Sequence, residues 1–291
     1  MTIWNLGSIN ADLVYRVPHL PGPGETLGAR SLSRGLGGKG ANMSVAAARA
    51  AARVVHLGAV GREGAWMVER LLEYGVDTRW IATRAGDSGH AVICVDDAGE
   101  NLIVIHPGAN REIQDAEVAA ALDTAAPGDW FLSQNETNGQ VAGAEAARAR
   151  GLRVAHAAAP FEPDAARAIL PLVDLLVLNA VEAAQLEAAT GARIDALGVA
   201  DVVVTRGGDG CRWHHGDASP VDVPALAVDP VDTTGAGDTF TGFLIAGLDR
   251  GLPMRQALAL ATQAAALMVT RAGAADVIPD LKEIEESRLG S

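Results

Sequence analysis

The stretch VDTTGAGDTFTGFL occupies residues 231–244 and predicts a glycine turn followed by the first turns of an apolar helix. Gly235 and Gly237 allow the backbone to bend sharply and to approach a ligand closely. The amides of Gly235, Ala236 and Gly237 would have no partner within the helix, and the helix dipole favours negative charge beside them. The stretch therefore predicts a site for an oxyanion or a phosphate group.

Asp238 lies at the mouth of this predicted anion site. Asp is a favoured cap at the N-terminus of a helix, so the local sequence alone is consistent with a purely structural role. A functional role gains support from a second glycine cluster far upstream, GGKGAN at residues 37–42, which opens another predicted helix. Its spacing matches neither a P-loop nor a dinucleotide-binding fingerprint, and such a cluster alone is as typical of tight turns as of ligand sites.

The composition narrows the possible functions. The 291 residues are 49% apolar and suffice for one large α/β domain or two small ones. A net charge of −13 argues against nucleic acid as a partner. The N-terminal residues carry no basic segment, and no apolar run predicts a transmembrane helix, so we expect no membrane contact. Cys94 and Cys211 lie outside any CxxC pattern, which favours a reducing, cytoplasmic location.

Strand and helix patterns alternate along much of the chain. From about residue 115 to residue 205, short apolar runs that predict strands alternate with segments that predict helices. This alternation is typical of a parallel sheet covered by helices on both faces. Two apolar runs at residues 90–106 are joined by DDAGEN and predict a hairpin. Residues 25–36 alternate loosely and predict a short exposed pair of strands. Because the hairpin interrupts the series, we expect a small sheet that stands off the main domain as a lid.

Polar side chains gather at the ends of the predicted strands, where this architecture binds its ligands. Asn10 and Asp12 are two residues apart and point to the same side of an extended segment, which suits a polyol. Both residue types are also common in turns, so a structural role stays open. The other strand ends carry Glu136, Asn179 with Glu182, Thr205 with Gly207 and Gly210, and Asp238.

With both glycine stretches in place, the chain resembles the ribokinase-like (PfkB) family of sugar and nucleoside kinases. The two family signatures match GGKGAN at residues 37–42 and DTTGAGD at residues 232–238, in the same order. NAVE from residue 179 is similar to the family's Asn-x-x-Glu motif, and TRGGDG from residue 205 to its nucleotide loop. The resemblance covers nearly the whole chain. Within the family, NAD from residue 10, IHPGAN from residue 105 and QNE from residue 134 are most similar to the ribokinases.

The resemblance implies a three-layer α/β/α fold and a single kinase domain over residues 1–291. A β lid from about residues 12–36 and 90–106 would pair two copies into a homodimer. Asp238 would be the catalytic base, with the amides of Gly235, Ala236 and Gly237 as the anion hole. The sugar contacts implied are Asn10, Asp12, Gly38, Lys39, Asn42, Glu136 and Asp238. The ATP contacts implied are Asn179, Thr205, Gly207, Gly210 and Gly237.

The resemblance also implies Mg²⁺ and, in ribokinases, a monovalent cation, K⁺, beside the anion hole. Glu182 would hold magnesium through water, since magnesium keeps several of its waters. The monovalent cation would lie against Asp232, Thr234, Met268, Arg271 and Gly273, mostly through carbonyl oxygens. One position departs from the ribokinase pattern, because Val277 stands where those enzymes have a cation-binding serine and offers no side-chain oxygen.

The reaction implied is ATP-dependent phosphorylation of a primary sugar hydroxyl, with D-ribose, giving ribose 5-phosphate, as the first choice. Fructose, a 2-keto-3-deoxy sugar acid and a nucleoside are the alternatives within the family. The few aromatic residues near the sugar contacts argue against a nucleoside, while Arg16, Arg30 and Arg34 keep a sugar acid open. A non-catalytic sensor of sugar or nucleotide is a further alternative, against which the intact Asp238 and anion hole argue.

Overall fold

A nine-stranded sheet runs through the middle of the protein, a computed structural model in which residues 1–287 are described. Residues 288–291, which the expected kinase domain included, lie outside the described residues. The strands in chain order are β1 (Thr2–Leu6), β2 (Asn10–Arg16), β3 (Ser31–Gly37), β4 (Arg53–Gly61), β5 (Asp77–Arg84), β6 (Gly89–Val95), β7 (Asn101–His106), β8 (Trp130–Gln134), β9 (Arg153–Ala157), β10 (Leu175–Asn179), β11 (Asp201–Thr205), β12 (Cys211–His215) and β13 (Val221–Val223).

The main sheet has the spatial order β13-β12-β11-β10-β9-β8-β1-β4-β5. Neighbouring strands from β11 to β5 are parallel, whereas β12 and β13 are added antiparallel at one edge. Seven strands therefore end at the same edge of the sheet, and that edge is where an open α/β sheet binds its ligands.

Helices cover both faces of this sheet. In chain order they are α1 (Lys39–Arg49), α2 (Ala65–Glu73), α3 (Asp115–Leu122), α4 (Gln140–Ala149), α5 (Pro163–Ile169), α6 (Ala180–Thr190), α7 (Ala236–Asp249), α8 (Met254–Met268) and α9 (Leu281–Glu286). Successive side chains of a strand point to opposite faces of the sheet, so the hydrophobic core has two halves. In β4, for example, Val54 belongs to the half that packs against α1, α2, α7 and α8, and Val55 belongs to the half that packs against α3 to α6. The expected three-layer α/β/α fold is confirmed. No helix in residues 1–287 is long and apolar enough to cross a membrane.

Helices α1 and α7 pack with their backbones in close contact. At Gly242 of α7 an added Cβ would lie 2.5 Å from Ala46 Cβ and 2.6 Å from the carbonyl oxygen of Met43. Only glycine permits this approach. Both helices begin at the ligand-binding edge of the sheet, so their first turns are held side by side.

A separate four-stranded sheet has the order β3-β2-β6-β7. Strands β2 and β6 are parallel in its centre, and β3 and β7 pair antiparallel on the outside. Every residue of β7 is exposed, including an apolar run from Leu102 to Ile105. The small sheet therefore presents an open apolar edge.

The strand pair expected over residues 25–36 is wrong in its bounds. Strand β3 begins only at Ser31, and its partner is β2, which carries Asn10 and Asp12 within the small sheet. Residues 17–30 contain no strand, because prolines and glycines turn the chain there, with the amide of Glu25 donating to the carbonyl of Gly22 at 3.0 Å.

Candidate active site

The first turn of α7 is built as an anion site. Gly235 precedes the helix with a φ of 75°, a left-handed backbone conformation that strongly favours glycine. The amide of Ala236 donates to the carbonyl of Thr233 at 3.2 Å. The amides of Gly235 and Gly237 make no hydrogen bond with any other part of residues 1–287. Two of the three amides expected in the anion hole are therefore available to a ligand.

Asp238 follows this turn and is 6% exposed. Its Oδ2 accepts a hydrogen bond from Asn42 Nδ2 at 2.9 Å, which joins the two glycine stretches across the site. Burial raises the pKa of the Asp238 carboxyl, while the charge of Lys39 and the hydrogen bond from Asn42 lower it. A buried carboxylate with a raised pKa is suited to accept a proton from a hydroxyl group.

The second glycine stretch brings α1 up to the end of β1. At Gly38, where φ is 92°, a Cβ would lie 2.9 Å from the amide nitrogen of Asn10, so the chains can pass only at a glycine. The amide of Lys39 donates to Glu136 Oε2 at 3.0 Å, and the Ser8 hydroxyl donates to the same oxygen. Glu136 thus fixes the entry to α1 from the end of β8.

Asn10 and Asp12 lie on β2, beside the end of β3. The Oδ1 of Asn10 accepts a hydrogen bond from Asn110 Nδ2 at 2.7 Å. The Asp12 carboxylate fills the space over Gly37, where a Cβ would lie 2.1 Å from Asp12 Oδ2. Burial, reinforced by the negative charges of Glu136 and Asp238, raises the pKa of Asp12 to about 7. The carboxyl groups of Asp12, Glu136 and Asp238 therefore lie close to one another at this edge of the sheet.

A cavity of about 210 Å³ lies in front of the α7 turn. It brings together predicted residues from separate parts of the chain, namely Lys39, Asn179, Glu182, Thr205, Gly235, Gly237 and Asp238. The pKa of the Lys39 ammonium is raised chiefly by the charge of Asp238 and further by Glu136 and Glu182. A permanent cation beside free helix amides is a binding site for phosphate groups.

Asn179 and Glu182 also form a capping box at the start of α6. The amide of Glu182 donates to Asn179 Oδ1 at 2.9 Å, and the amide of Asn179 donates to Glu182 Oε2 at 2.8 Å. Burial raises the pKa of Glu182, and the hydrogen bond from Asn179 and the charge of Lys39 lower it. Glu182 Oε1 takes no part in the capping box, so this oxygen is available to a hydrated cation.

A second cavity of about 380 Å³ continues from the first and shares Thr205, Thr233 and Gly237 with it. Gly207 lines it with a φ of 55° and open space where a Cβ would stand, so a ligand can approach its backbone. Gly210 has another reason to be glycine, because a Cβ there would lie 2.1 Å from the carbonyl oxygen of Val223. The lining residues that the sequence did not reveal include Ala225, Leu226, Ala227, Val228, Pro230, Phe240, Thr262, Ala265, Ala266 and Val269.

The residues expected to hold a monovalent cation lie outside both cavities, behind the α7 turn. Asp232 Oδ1 accepts from the amide of Thr234 at 2.9 Å, and Oδ2 accepts from the amide of Gly273 at 3.1 Å. The Arg271 guanidinium instead pairs with Glu283 at 2.8 Å. Val277 Cγ1 stands 3.3 Å from where a Cβ of Gly273 would be. In the described part of the chain no cluster of three or more His, Cys, Asp or Glu side chains could hold a metal ion.

Two residues of the site were not identified as site residues from the sequence. Ser8 supports Glu136, and Asn110 binds both the side chain of Asn10 and the amide of Ile9, the latter at 2.9 Å. Asn110 ends the IHPGAN run that carried the family resemblance, and Ser8 lies two residues before the NAD run, but neither has a local pattern that indicates its partner. The sequence signal is limited to an Asn at the end of the IHPGAN run, and only the structure shows that Asn110 is buried.

Comparisons with known proteins identify the family to which this chain belongs. The model of the family described as pfkB family carbohydrate kinase matches residues 2–281. A ribokinase of Haemophilus influenzae is 33% identical over 300 residues, covering 98% of this chain and 97% of that protein. A ribokinase structure from Cryptococcus neoformans, in complex with ADP, has a TM-score of 0.83 at 30% identity, covering 98% of this chain and 99% of the other. A ribokinase structure from Arabidopsis thaliana, complexed with ribose and ATP, has a TM-score of 0.85 at 27% identity, covering 98% and 97%.

Proposed function

Because the chain belongs to the pfkB family of carbohydrate kinases and is an ATP-dependent sugar kinase, we propose that its acceptor is D-ribose. The product is ribose 5-phosphate, formed at the primary hydroxyl. The observation that carries this proposal is the buried Asp238 carboxylate at the first turn of α7, with Asn42 at 2.9 Å on one side and the cavity of about 210 Å³ on the other. The match to ribokinases over almost the whole chain supports ribose as the sugar.

In the reaction, Asp238 accepts the proton of the primary hydroxyl as that oxygen attacks the γ-phosphorus of ATP. The new bond joins the sugar oxygen to phosphorus, and the bond from phosphorus to the β,γ-bridging oxygen breaks, leaving ADP. Phosphoryl transfer depends chiefly on positioning and on stabilisation of charge. The free amides of Gly235 and Gly237 and the Lys39 ammonium supply that stabilisation.

The sugar lies between the end of β2 and the first turn of α1. Asn10, Asp12, Asn42 and Glu136 offer amide and carboxylate groups to its hydroxyls, and the glycine at position 38 allows the backbone to approach. A site that pairs several hydroxyls rejects an analogue lacking one of them, because its own polar groups are then buried without partners.

The nucleotide occupies the two connected cavities. The apolar cavity beyond Gly207 receives the adenine, and Thr205, Asn179 and Gly237 line the way to the phosphates. Magnesium neutralises phosphate charge when bound, and the free oxygen of Glu182 suits a hydrated magnesium ion, which prefers oxygen ligands and keeps its waters. The small sheet acts as the lid that excludes water from the sugar side.

The loop around Asp232 is a weaker match to a monovalent cation. The half-buried carboxylate of Asp232 and the carbonyl groups near Met268 and Gly273 are oxygen donors, the type of ligand that K⁺ prefers. However, both Asp232 oxygens already accept amide hydrogen bonds, and Val277 adds no oxygen. We therefore expect K⁺ to activate this enzyme only modestly.

The arginines that kept a sugar acid open are occupied elsewhere. The Arg30 guanidinium forms a bidentate pair with Asp97, at 2.6 and 2.7 Å, and Arg34 stacks over the ring of Trp66 at 4.6 Å. Arg16 is exposed at the far end of β2. This arrangement favours a neutral sugar over a sugar acid.

A coupled assay of ADP release tests the proposal. Ribose, 2-deoxyribose, fructose, 2-keto-3-deoxygluconate and a nucleoside are compared by kcat/KM, with magnesium present or chelated and with potassium replaced by sodium. We expect ribose to be preferred, magnesium to be required and potassium to matter little. If fructose or the sugar acid exceeds ribose tenfold, the acceptor is wrong and only the kinase assignment stands.

We further propose that the small sheet pairs with its counterpart in a homodimer. Ile103, Val104 and Ile105 on β7 are 50%, 58% and 55% exposed, and an apolar strand edge of this kind associates in water. Sedimentation at micromolar concentration is expected to show a dimer, and Val104→Lys is expected to give monomers. Leu72→Lys on α2, where the apolar side chain is 61% exposed, is the matched control and should leave the dimer intact. A wild-type monomer would exclude this interface.

A further inference from the structure

The backbones of Gly7 and Gly40 cross in direct contact beneath the sugar side. A Cβ on Gly40 would lie 2.4 Å from both Cα and the carbonyl carbon of Gly7. Gly40 stands between Lys39 and Asn42, the residues that reach toward Asp238. Any displacement of this crossing therefore moves the side chains that face the proposed base.

A chain of buried hydrogen bonds holds the crossing from below. Gln134 Nε2 donates to Asn5 Oδ1 at 2.8 Å, and Asn5 Nδ2 donates to the carbonyl of Gly40 and to the hydroxyl of Ser44, each at 2.8 Å. Ser44 Oγ lies 2.8 Å from His56 Nδ1, and His56 Nε2 lies 3.0 Å from the carbonyl of Gly7. All four side chains are 0% exposed.

Chemistry fixes the direction of every bond in this chain. The carbonyl of Gly7 can only accept, so His56 Nε2 carries the proton and donates. Nδ1 of the neutral ring must then accept from Ser44, whose oxygen accepts from Asn5 in turn. Burial lowers the pKa of His56 to about 4, so the ring is neutral at physiological pH. Only one arrangement of protons satisfies the His56 ring. In this arrangement the network donates hydrogen bonds to the carbonyl oxygens of both Gly7 and Gly40.

We infer that Asn5, Ser44 and His56 are positioning residues, which set Lys39 and Asn42 against Asp238 by holding the Gly7–Gly40 crossing. Apolar side chains would fill the same space with less desolvation, whereas the paired polar groups of Asn5, Ser44 and His56 rigidify the backbone that they bind. The inference rests on the roles proposed for Lys39, Asn42 and Asp238.

The protein contains a matched control on the opposite face of the sheet. Ser133 Oγ lies 3.0 Å from His156 Nδ1, both side chains are 0% exposed, and burial lowers the pKa of His156 to about 4 as well. This pair bridges β8 and β9 and makes no contact with either glycine stretch. Loss of the Ser44 hydroxyl leaves His56 Nδ1 without a donor, and loss of the Ser133 hydroxyl leaves the His156 ring without a hydrogen-bond partner among residues 1–287, since its Nε2 has none.

The test compares Ser44→Ala with Ser133→Ala in the full chain. Both variants should lower Tm by a similar few degrees, since each leaves a buried polar group unsatisfied. Only Ser44→Ala should reduce kcat/KM, by roughly tenfold or more, because small misplacements of catalytic groups are costly. Equal kinetic effects in the two variants would show that the network is merely structural.

The pH profile gives a second readout that stability does not move. The charged groups facing Asp238 are Lys39, Glu136, Asp12 and Glu182. If Lys39 and Asn42 retreat, the acid limb of kcat/KM shifts to higher pH in Ser44→Ala and stays in place in Ser133→Ala. An unshifted limb in Ser44→Ala would overturn the inference.

A crystal structure of Ser44→Ala separates this inference from the choice of acceptor. The distance from Asn42 Nδ2 to Asp238 Oδ2, now 2.9 Å, should lengthen whichever sugar the enzyme uses. An unchanged distance contradicts the inference even if ribose is the substrate. Should Ser44→Ala fail to fold, His56→Gln against His156→Gln provides the same comparison.

Discussion

Asp238→Asn is expected to lower kcat by about 10²–10⁴-fold, the usual contribution of a general base. The amide has the shape of the carboxylate and cannot accept the proton of the attacking hydroxyl. Asn42 can still contact the side chain, so the site keeps its geometry. Steady-state kinetics with ribose measure the loss of kcat. Calorimetric titrations with ribose and with ADP should show that binding of both ligands is largely retained.

Asp249→Asn is the matched control for that substitution. Asp249 ends the same helix, is 7% exposed, and burial raises the pKa of its carboxyl as well. Asp249 lies 3.9 Å from the N-terminal ammonium, at the opposite end of α7 from the glycine turn. The kcat of Asp249→Asn should therefore stay close to that of the wild type. Retention of more than about a tenth of wild-type kcat in Asp238→Asn would remove Asp238 from the role of base.

Asp12→Ala is expected to raise KM for ribose by roughly 10–150-fold with a smaller effect on kcat. The loss of a hydrogen bond to a charged, buried group costs about 1.5–3 kcal/mol, which corresponds to that range. The kinetic constants for ribose decide the point. A KM within about twofold of wild type would place the sugar away from β2.

The pKa of Asp12, raised from 3.8 to about 7, adds a pH dependence with a definite sign. An acid with a raised pKa in the folded state stabilises the fold below pH 3.8, and this contribution is lost as pH rises through about 7. Asp12→Asn should therefore gain in Tm over the wild type at pH 8 and show little difference at pH 4. An equal gain at both pH values would contradict the buried, destabilising carboxylate.

The two glycine stretches could be predicted because their requirement is local. A φ of 75° at Gly235 and of 92° at Gly38 follows from short-range geometry that glycine alone tolerates. The parallel sheet then brings Asp238, Asn42 and Glu136 to one edge, since strand ends meet there whatever lies between them. The polar side of the site was accessible to sequence reasoning for this reason.

The walls of the nucleotide cavity had no such signal. Ala225, Val228, Ala265 and Val269 are small apolar residues, and any buried helix or loop contains them. Their role arises only when the loop before α7 folds over α8. The same limit applies to His56, which reads as a core histidine until its contact with the Gly7 carbonyl is known.

Some residues carry two explanations, and the sequence cannot separate them. Gly210 matched a nucleotide motif, and the structure shows that a side chain there would strike Val223. Asn179 and Glu182 matched the Asn-x-x-Glu motif, and they also cap α6. In each case a family signature coincides with a packing or capping requirement.

The close packing of α1 on α7 at Gly242 has a kinetic consequence. With Met43 and Ala46 in contact with that glycine, we expect the two helices of the wild-type protein to move together during turnover. The entropy needed to align Asn42 with Asp238 is lost when the chain folds and not when substrates bind. Closure during turnover must then come from the small sheet, so we expect hydrogen exchange in β2, β3, β6 and β7 to respond to sugar while exchange in the α1–α7 pair stays slow.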